Sequence, residues 1–231
     1  MYCPVWKSGS TSWRAVMLVL SGKFKTLDEA VKAVFGLRGL RTLKSYGNKS
    51  EIEFRLKNYT KFTSYREPLN RFTADYLMLR MKSRRHNEQA HKVVKYANSV
   101  RGLLDRRHQW QKMSIRDFGT FVARFGNSTT GLARLDKQWI PQNLACRPCH
   151  GHYDYYIDME SPTVNDDIRY ILTTIGAPRW LEMPHVNPTR RDKNPYLSQL
   201  SETMFNSLLS VYYNDYEIFG FTRPQWSRLQ H

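Results

Sequence analysis

Three short apolar stretches, each running through a turn-forming segment into a helix, set the narrowest limits on how this chain folds. Tyr2 to Trp6 gives way to the small polar run Lys7 to Ser12, then to the helix-compatible run Trp13 to Leu20. Lys61 to Tyr65 ends at Arg66-Glu67-Pro68, and Pro68 suits the first turn of a helix reaching to about Ser83, where its missing N–H costs nothing. Tyr153 to Ile157 precedes Thr163-Val164-Asn165-Asp166, a helix start that Gly176 can close with a left-handed residue. Strands that each feed a helix pair most simply in parallel, because a parallel neighbour is reached through a crossover. The pattern predicts an α/β fold, a small and mostly parallel sheet flanked by helices.

Other helix ends carry their own signals. Thr26-Leu-Asp-Glu29 and Ser50-Glu-Ile-Glu53 read as capping boxes, placing helix starts near Leu27 and Glu51. A basic helix is read over Glu88 to Leu104, and Ser114 can cap another through Phe125. Leu197 to Phe219 carries Met204, Leu208, Val211 and Tyr212 at helical spacing. Neither a repeat nor a low-complexity linker interrupts the 231 residues, so a single domain over 1–231 is expected.

Composition sorts the partners. Apolar residues make up 41% of the chain, a globular content, but the longest apolar run is Ala15 to Leu20, far below the roughly 18 residues of a membrane span. Lys7 and Arg14 interrupt the apolar start, so no signal peptide is read. With 36 Lys and Arg against 20 Asp and Glu, the net charge of +16 favours a polyanionic partner. The excess peaks between Arg80 and Lys95, where Arg84, Arg85 and His86 are candidate contacts to an acidic substrate. Nucleic acid fits the charge, but the chain has no recognisable reader motif.

Two segments have the chemistry of anion sites. In Lys7-Ser8-Gly9-Ser10-Thr11-Ser12, small residues let backbone N–H groups converge on a phosphate at a helix start, with hydroxyls and a lysine in support. This is not a Walker A loop, whose lysine follows the glycines. In Arg66-Glu-Pro-Leu-Asn-Arg71-Phe-Thr73-Ala74, two guanidiniums and a hydroxyl gather at the next helix start, suited to a doubly charged phosphate. No carboxylate pair suggests a metal site. Cys146-Arg-Pro-Cys149-His150 has the spacing of covalent haem attachment, but no second C-x-x-C or H-x-x-x-H pair completes a zinc set and nothing else resembles a cytochrome.

Together these stretches resemble the carbohydrate sulfotransferases of the Golgi that use 3′-phosphoadenylyl sulfate (PAPS), specifically the chondroitin/dermatan 4-O type. Members read roughly Y-C-Y-V-P-K at the first loop and R-E-P-F-E-R-L-V-S-A-Y at the second, where this chain has YCPVWK and REPLNRFTADY. QWIPQNLACRPCHGHYD and VYYNDYEIFGF match two further family motifs, in order, so that the resemblance spans nearly the whole chain. It implies a PAPS-binding α/β fold, a glycan hydroxyl as acceptor, no metal, and residence in the Golgi lumen. It also implies an N-terminal membrane anchor and stem that this chain does not include. Lys7 then matches the lysine that contacts the phosphosulfate, and Arg66 the arginine of the 3′-phosphate.

The departures matter. The family's 3′-phosphate serine falls at Ala74, its proline before the lysine at Trp6, the histidine of its H-W pair at Gln138, and a histidine that suits a general base at Phe35. His152, His86 and His91 are the remaining candidates for that base, and a catalytically impaired glycan binder is the competing reading. The family carries a cysteine pair at Cys146 and Cys149, which implies scaffold. A local disulfide between them suits an oxidising lumen, with Cys3 as a buried free thiol. Sequons at Asn48, Asn58 and Asn127 permit glycosylation there.

Overall fold

The computed structural model of the chain describes residues 1–34, 40–80, 84–100, 113–184 and 194–229. In chain order they form β1 (Tyr2–Cys3), α1 (Ser10–Leu20), α2 (Leu27–Val34), α3 (Lys49–Asn58), β2 (Phe62–Tyr65), α4 (Pro68–Leu79), α5 (Arg84–Val100) and α6 (Ile115–Gly126). Then follow α7 (Thr129–Leu132), α8 (Gln142–Cys146), α9 (Pro148–Gly151), β3 (Tyr155–Asp158), α10 (Val164–Thr174), α11 (Asn194–Leu197), α12 (Glu202–Val211) and α13 (Tyr213–Phe219). The chain divides into two compact units, Met1–Arg66 with Cys146–Pro188, and Glu67–Ala145 with Thr189–His231.

The first unit holds the sheet. Among the described residues it has three strands in the order β1-β2-β3, all parallel, which bears out the α/β reading. Tyr2 pairs with Phe62, and Phe62 through Tyr65 pair with Tyr155 through Asp158. The strands are shorter than the apolar runs. β1 stops at Cys3 because Pro4 has no N–H for the ladder. β3 begins only at Tyr155, after His152 has turned the chain with a left-handed φ of 44°. Phe62 and Ile157 bury one face against Trp13 and Val16 of α1 and Ile168, Ile171 and Leu172 of α10. Trp13 meets Phe62 edge-on at 4.7 Å between ring centroids. Gly176 closes α10 with φ 73°, as its position suggests. Asn48, not Ser50, caps α3, its Oδ1 accepting from the Ser50 N–H at 2.9 Å.

The cysteine pairing differs from the expectation. Cys3 of β1 is bonded to Cys146 at the end of α8, and Cys149 is a free, exposed thiol. Arg147 adopts a left-handed φ of 46° between the two cysteines of the motif, and Cys149 lies exposed in α9. Closing a loop across 143 residues, the bond removes about 5 kcal/mol of unfolded-chain entropy in the loop-closure account. With its sulfur in a disulfide, Cys146 has no thiolate for zinc and none for haem.

Helices are the only regular structure among the described residues of the second unit. Leu69, Phe72, Phe118, Val122, Trp139, Phe205 and Leu208 form its centre, with Phe72 and Phe118 stacked at 4.7 Å. α4 ends at Leu79, short of the expected Ser83, and the basic helix starts at Arg84, four residues ahead of Glu88. Ser114 and Asp117 form a reciprocal cap on α6. The apolar stretch at the C-terminal end is two helices, since Ser201 caps α12 and the backbone breaks at Tyr212. No helix among the described residues is long and apolar enough to cross a membrane.

Candidate anion-binding site

Ligands of open parallel sheets gather at the carboxyl ends of the strands. At that edge of the first unit, β1 leads into residues 4–9 and then α1. Lys7 and Gly9 both take left-handed backbone, with φ 66° and 74°. Ser8 lies between them, buried, with its carbonyl accepting from the Ser64 hydroxyl of β2. That hydroxyl in turn accepts from the Tyr2 phenol at 2.9 Å. The central strand thus clamps the loop from beneath. Gly9 is required twice over: a Cβ there would carry left-handed strain and sit 2.8 Å from Met159 Cε. The first-turn amides of Ser10, Thr11 and Ser12 have no carbonyl of their own helix to bond, and Trp13 is the first to find one, Gly9 O at 3.0 Å. No acid lies in that turn, so no carboxylate of α1 itself offsets the positive pole of the helix.

Arg66 follows β2 directly. Its Nε donates to Glu160 Oε1 at 2.8 Å, and its Nη1 reaches the Lys7 carbonyl at 3.4 Å. Glu160 stands on the turn after β3. There Met159 N continues the ladder to Tyr65 O at 3.0 Å, and Asp158 Oδ1 accepts the Glu160 N–H at 2.9 Å. Burial holds the Asp158 carboxyl above the usual range, and repulsion from Glu160 and Asp167 adds to it. The edge therefore sets the Arg66 guanidinium between the Lys7 carbonyl and the acidic turn after β3.

The second arginine of the same motif has another employment. Arg71 is 1% exposed in the second unit. Its Nη1 and Nη2 donate to the carbonyls of Gln138 and Ile140, each at 2.6 Å, and its guanidinium lies 5.6 Å from the Tyr212 ring centre. The Tyr212 hydroxyl donates to Trp139 O at 3.0 Å, and Asp215 accepts the N–H groups of Gln142 and Asn143 at 2.7 and 2.8 Å. Tyr216 donates to Glu67, which also caps α4 by accepting from Asn70 N. Residues 138–143 are thus strapped down from α4 on one side and α12–α13 on the other. Thr73 is buried with its hydroxyl donating to Leu69 O at 2.9 Å, and Ala74 is buried beside it. The expectation that Arg71 and Thr73 meet a phosphate gives way here to scaffolding, because the carbonyls of a strapped loop and an i−4 carbonyl are what they touch.

The sequence profile of the Sulfotransferase family matches residues 1–222, through both units. The chain belongs to that family. Its relatives include carbohydrate sulfotransferase 11 of Danio rerio, 28% identical over 241 residues that cover all of this chain and 66% of the relative. Carbohydrate sulfotransferase 14 of Danio rerio is 26% identical over 234 residues, covering 97% of this chain and 60% of the relative. Carbohydrate sulfotransferase 8 of Homo sapiens is 29% identical over 234 residues, with 97% and 54% covered. The chain spans just under two thirds of the length of the first relatives it matches. No solved structure matches it.

In this sulfotransferase-family chain the first unit brings together Lys7, Ser8, Gly9, Ser10, Thr11, Ser12 and Arg66. It does not bring His152 to them. His152 is exposed and precedes β3, whereas the loop follows β1, so the length of β3 separates the two edges by roughly 10 Å or more. Arg84, Arg85 and His86 begin α5, with side chains outside the described residues, and Phe35 lies outside them altogether. Trp6, where the family has proline, lies under the Arg14 guanidinium at 5.9 Å. Two contributors were missed in the sequence: Ser64, which clamps the loop, and the Asp158-Met159-Glu160 turn. Carboxylates just past a strand's carboxyl end were the available signal for the turn. Ser64 had none, because a buried hydroxyl is recognised only by what lies next to it.

Proposed function

We propose that this chain is a carbohydrate sulfotransferase that moves the sulfuryl group of PAPS onto a glycan hydroxyl, with a glycosaminoglycan such as chondroitin or dermatan as acceptor. The observation that carries it is the loop of left-handed Lys7 and Gly9 at the start of α1, with Arg66 bonded to the Lys7 carbonyl. In this reading the two units work as one catalytic domain. The 5′-phosphosulfate lies on the amides of Ser10, Thr11 and Ser12, and Arg66 binds the 3′-phosphate. The acceptor oxygen attacks sulfur in line, the sulfur–oxygen bond to the 5′-phosphate breaks, and adenosine 3′,5′-bisphosphate leaves as the hydroxyl proton passes to a general base or to water. Lys7 neutralises charge gathering on the bridging oxygen. Positioning and charge account for most of the catalysis. The disulfide between Cys3 and Cys146 supports an oxidising compartment, in keeping with Golgi residence.

The test is PAPS-dependent sulfate transfer to desulfated chondroitin, dermatan and heparosan. Transfer to at least one, lost in Lys7→Ala and kept in His152→Ala, is the expected result. Failure to bind PAPS at all would end the proposal. A second reading has its own observation: Ala74 offers no hydroxyl and that of Thr73 is bonded to Leu69 O, which supports a chain that binds glycan and nucleotide but transfers poorly. Binding of PAPS without transfer to any acceptor is its signature.

A further inference from the structure

Resting on the reading of Arg66 as the arginine of the 3′-phosphate, we infer that Glu160 is its positioning residue: it holds the guanidinium side-on against the sulfate-donor loop before the nucleotide arrives. None of the four motifs that carry the family resemblance contains Glu160. Its place follows from the sheet. β2 and β3 run parallel in register, so Tyr65 and Asp158 end side by side, and the residues just beyond them face one another. The ladder continues one step further through Met159 N and Tyr65 O, and Asp158 Oδ1 fixes the next amide, that of Glu160. The turn is therefore rigid where the carboxylate leaves it.

Glu160 holds Arg66 through Nε. An arginine carries a planar set of five N–H donors, and engaging Nε stops rotation about the last bonds of a long side chain. The same guanidinium reaches the Lys7 carbonyl through Nη1, so one planar group spans the turn after β3 and the loop after β1. Met159, between Asp158 and Glu160, lies against Gly9 from the same turn. The side chains of Arg66 and Glu160 are 13% and 25% exposed, which leaves the pair open at one side while most of its surroundings are protein. A carboxylate so near an anion site also repels the anion. The proposal is that geometry outweighs repulsion, so the acceptor oxygen at this position matters more than its charge.

The experiment is titration of adenosine 3′,5′-bisphosphate and adenosine 5′-phosphosulfate, which lacks the 3′-phosphate, into the full chain and its Arg66→Ala, Glu160→Ala and Glu160→Gln variants. Glu160→Ala is expected to weaken the bisphosphate about tenfold and the phosphosulfate less than threefold. Glu160→Gln, which keeps an oxygen for Nε, is expected to restore the bisphosphate to within threefold of wild type. This loss of selectivity between ligands is something general destabilisation would not produce. If Arg66→Ala loses the bisphosphate while Glu160→Ala binds it unchanged or more tightly, Glu160 is a bystander or a competitor, and the inference fails with the function intact. If the wild-type chain binds neither nucleotide, or does not prefer the bisphosphate, the reading of Arg66 itself is what fails.

Discussion

Arg66 and Arg71 stand five residues apart in one motif, at the end of one unit and the start of the other, and they do opposite work. Arg66 bridges a loop and a turn at an open sheet edge, where its partners are a carboxylate and a distant carbonyl. Arg71 is sealed among helices, where two short bonds to carbonyls hold residues 138–143 and Asp215 answers its charge. The first unit keeps its guanidinium at the carboxyl end of the strands, 13% exposed beside a carboxylate. The second buries its cation and builds a wall around it. Identical chemistry in the sequence thus separates into site and scaffold through burial, and the neighbours of each guanidinium show which is which.

Breaking each arginine should expose that difference most strongly. Arg71→Ala strands the buried Gln138 carbonyl and the partly buried Ile140 carbonyl and leaves Asp215 without its cation, for a loss of about 3–5 kcal/mol. Arg66→Ala removes a pair whose side chains are 13% and 25% exposed and should cost less than Arg71→Ala does, while abolishing bisphosphate binding. Chemical denaturation and bisphosphate titration of both variants check this. If Arg66→Ala proved the more destabilising, the division into site and scaffold would be wrong. The Cys3–Cys146 tie should come next. Cys3→Ser is expected to lose about 2–5 kcal/mol, matched by reduction of the wild type, whereas Cys149→Ser should stay within about 0.5 kcal/mol. Disulfide mapping of the Cys149→Ser variant should still return the bond between Cys3 and Cys146.

These contrasts also mark what was legible in the sequence. The sheet, the loop at Lys7–Ser12 and the caps at Thr26, Ser114 and Gly176 rest on local rules: backbone freedom, N–H supply and side-chain reach over a few residues. They could be read from one stretch at a time. The cysteine pairing could not, because Cys146 chooses between Cys149 three residues away and Cys3 143 residues away, and only the tertiary fold decides. Nor could the role of Arg71, since the carbonyls of Gln138 and Ile140 lie 67 and 69 residues along the chain. His152 failed for the same reason. It stands beside a strand, as a base might, but at the wrong end of it.

The two units can be compared again through a pair of aspartates that share a shift and differ in its meaning. Burial raises the carboxyls of both Asp158 and Asp215 above their ordinary range. Asp215 nevertheless gives one oxygen to each of two amides, Gln142 N and Asn143 N. In Asp215→Asn the NH2 group would confront one of those donors, for an expected loss of about 1–3 kcal/mol.

Asp158 should give the smallest effect, and of the opposite sign. Its Oδ1 accepts one amide, that of Glu160, and an asparagine keeps that bond. What the substitution removes is a charge that burial disfavours and that Glu160 and Asp167 repel. Asp158→Asn should therefore melt slightly higher than wild type at neutral pH. The sign of the pH dependence follows from the raised carboxyl: the folded state holds its proton more tightly than the unfolded one, so this group favours folding at low pH and ceases to do so as pH rises through its folded value. The melting advantage of the variant should accordingly shrink as pH falls toward the ordinary aspartate value of 3.8. Thermal melts of both proteins from pH 3 to pH 8 check it. An advantage that persisted undiminished at pH 3 would mean that packing rather than charge separates the two side chains. The acidic turn beside Arg66 would then be electrostatically weaker than its crowding suggests.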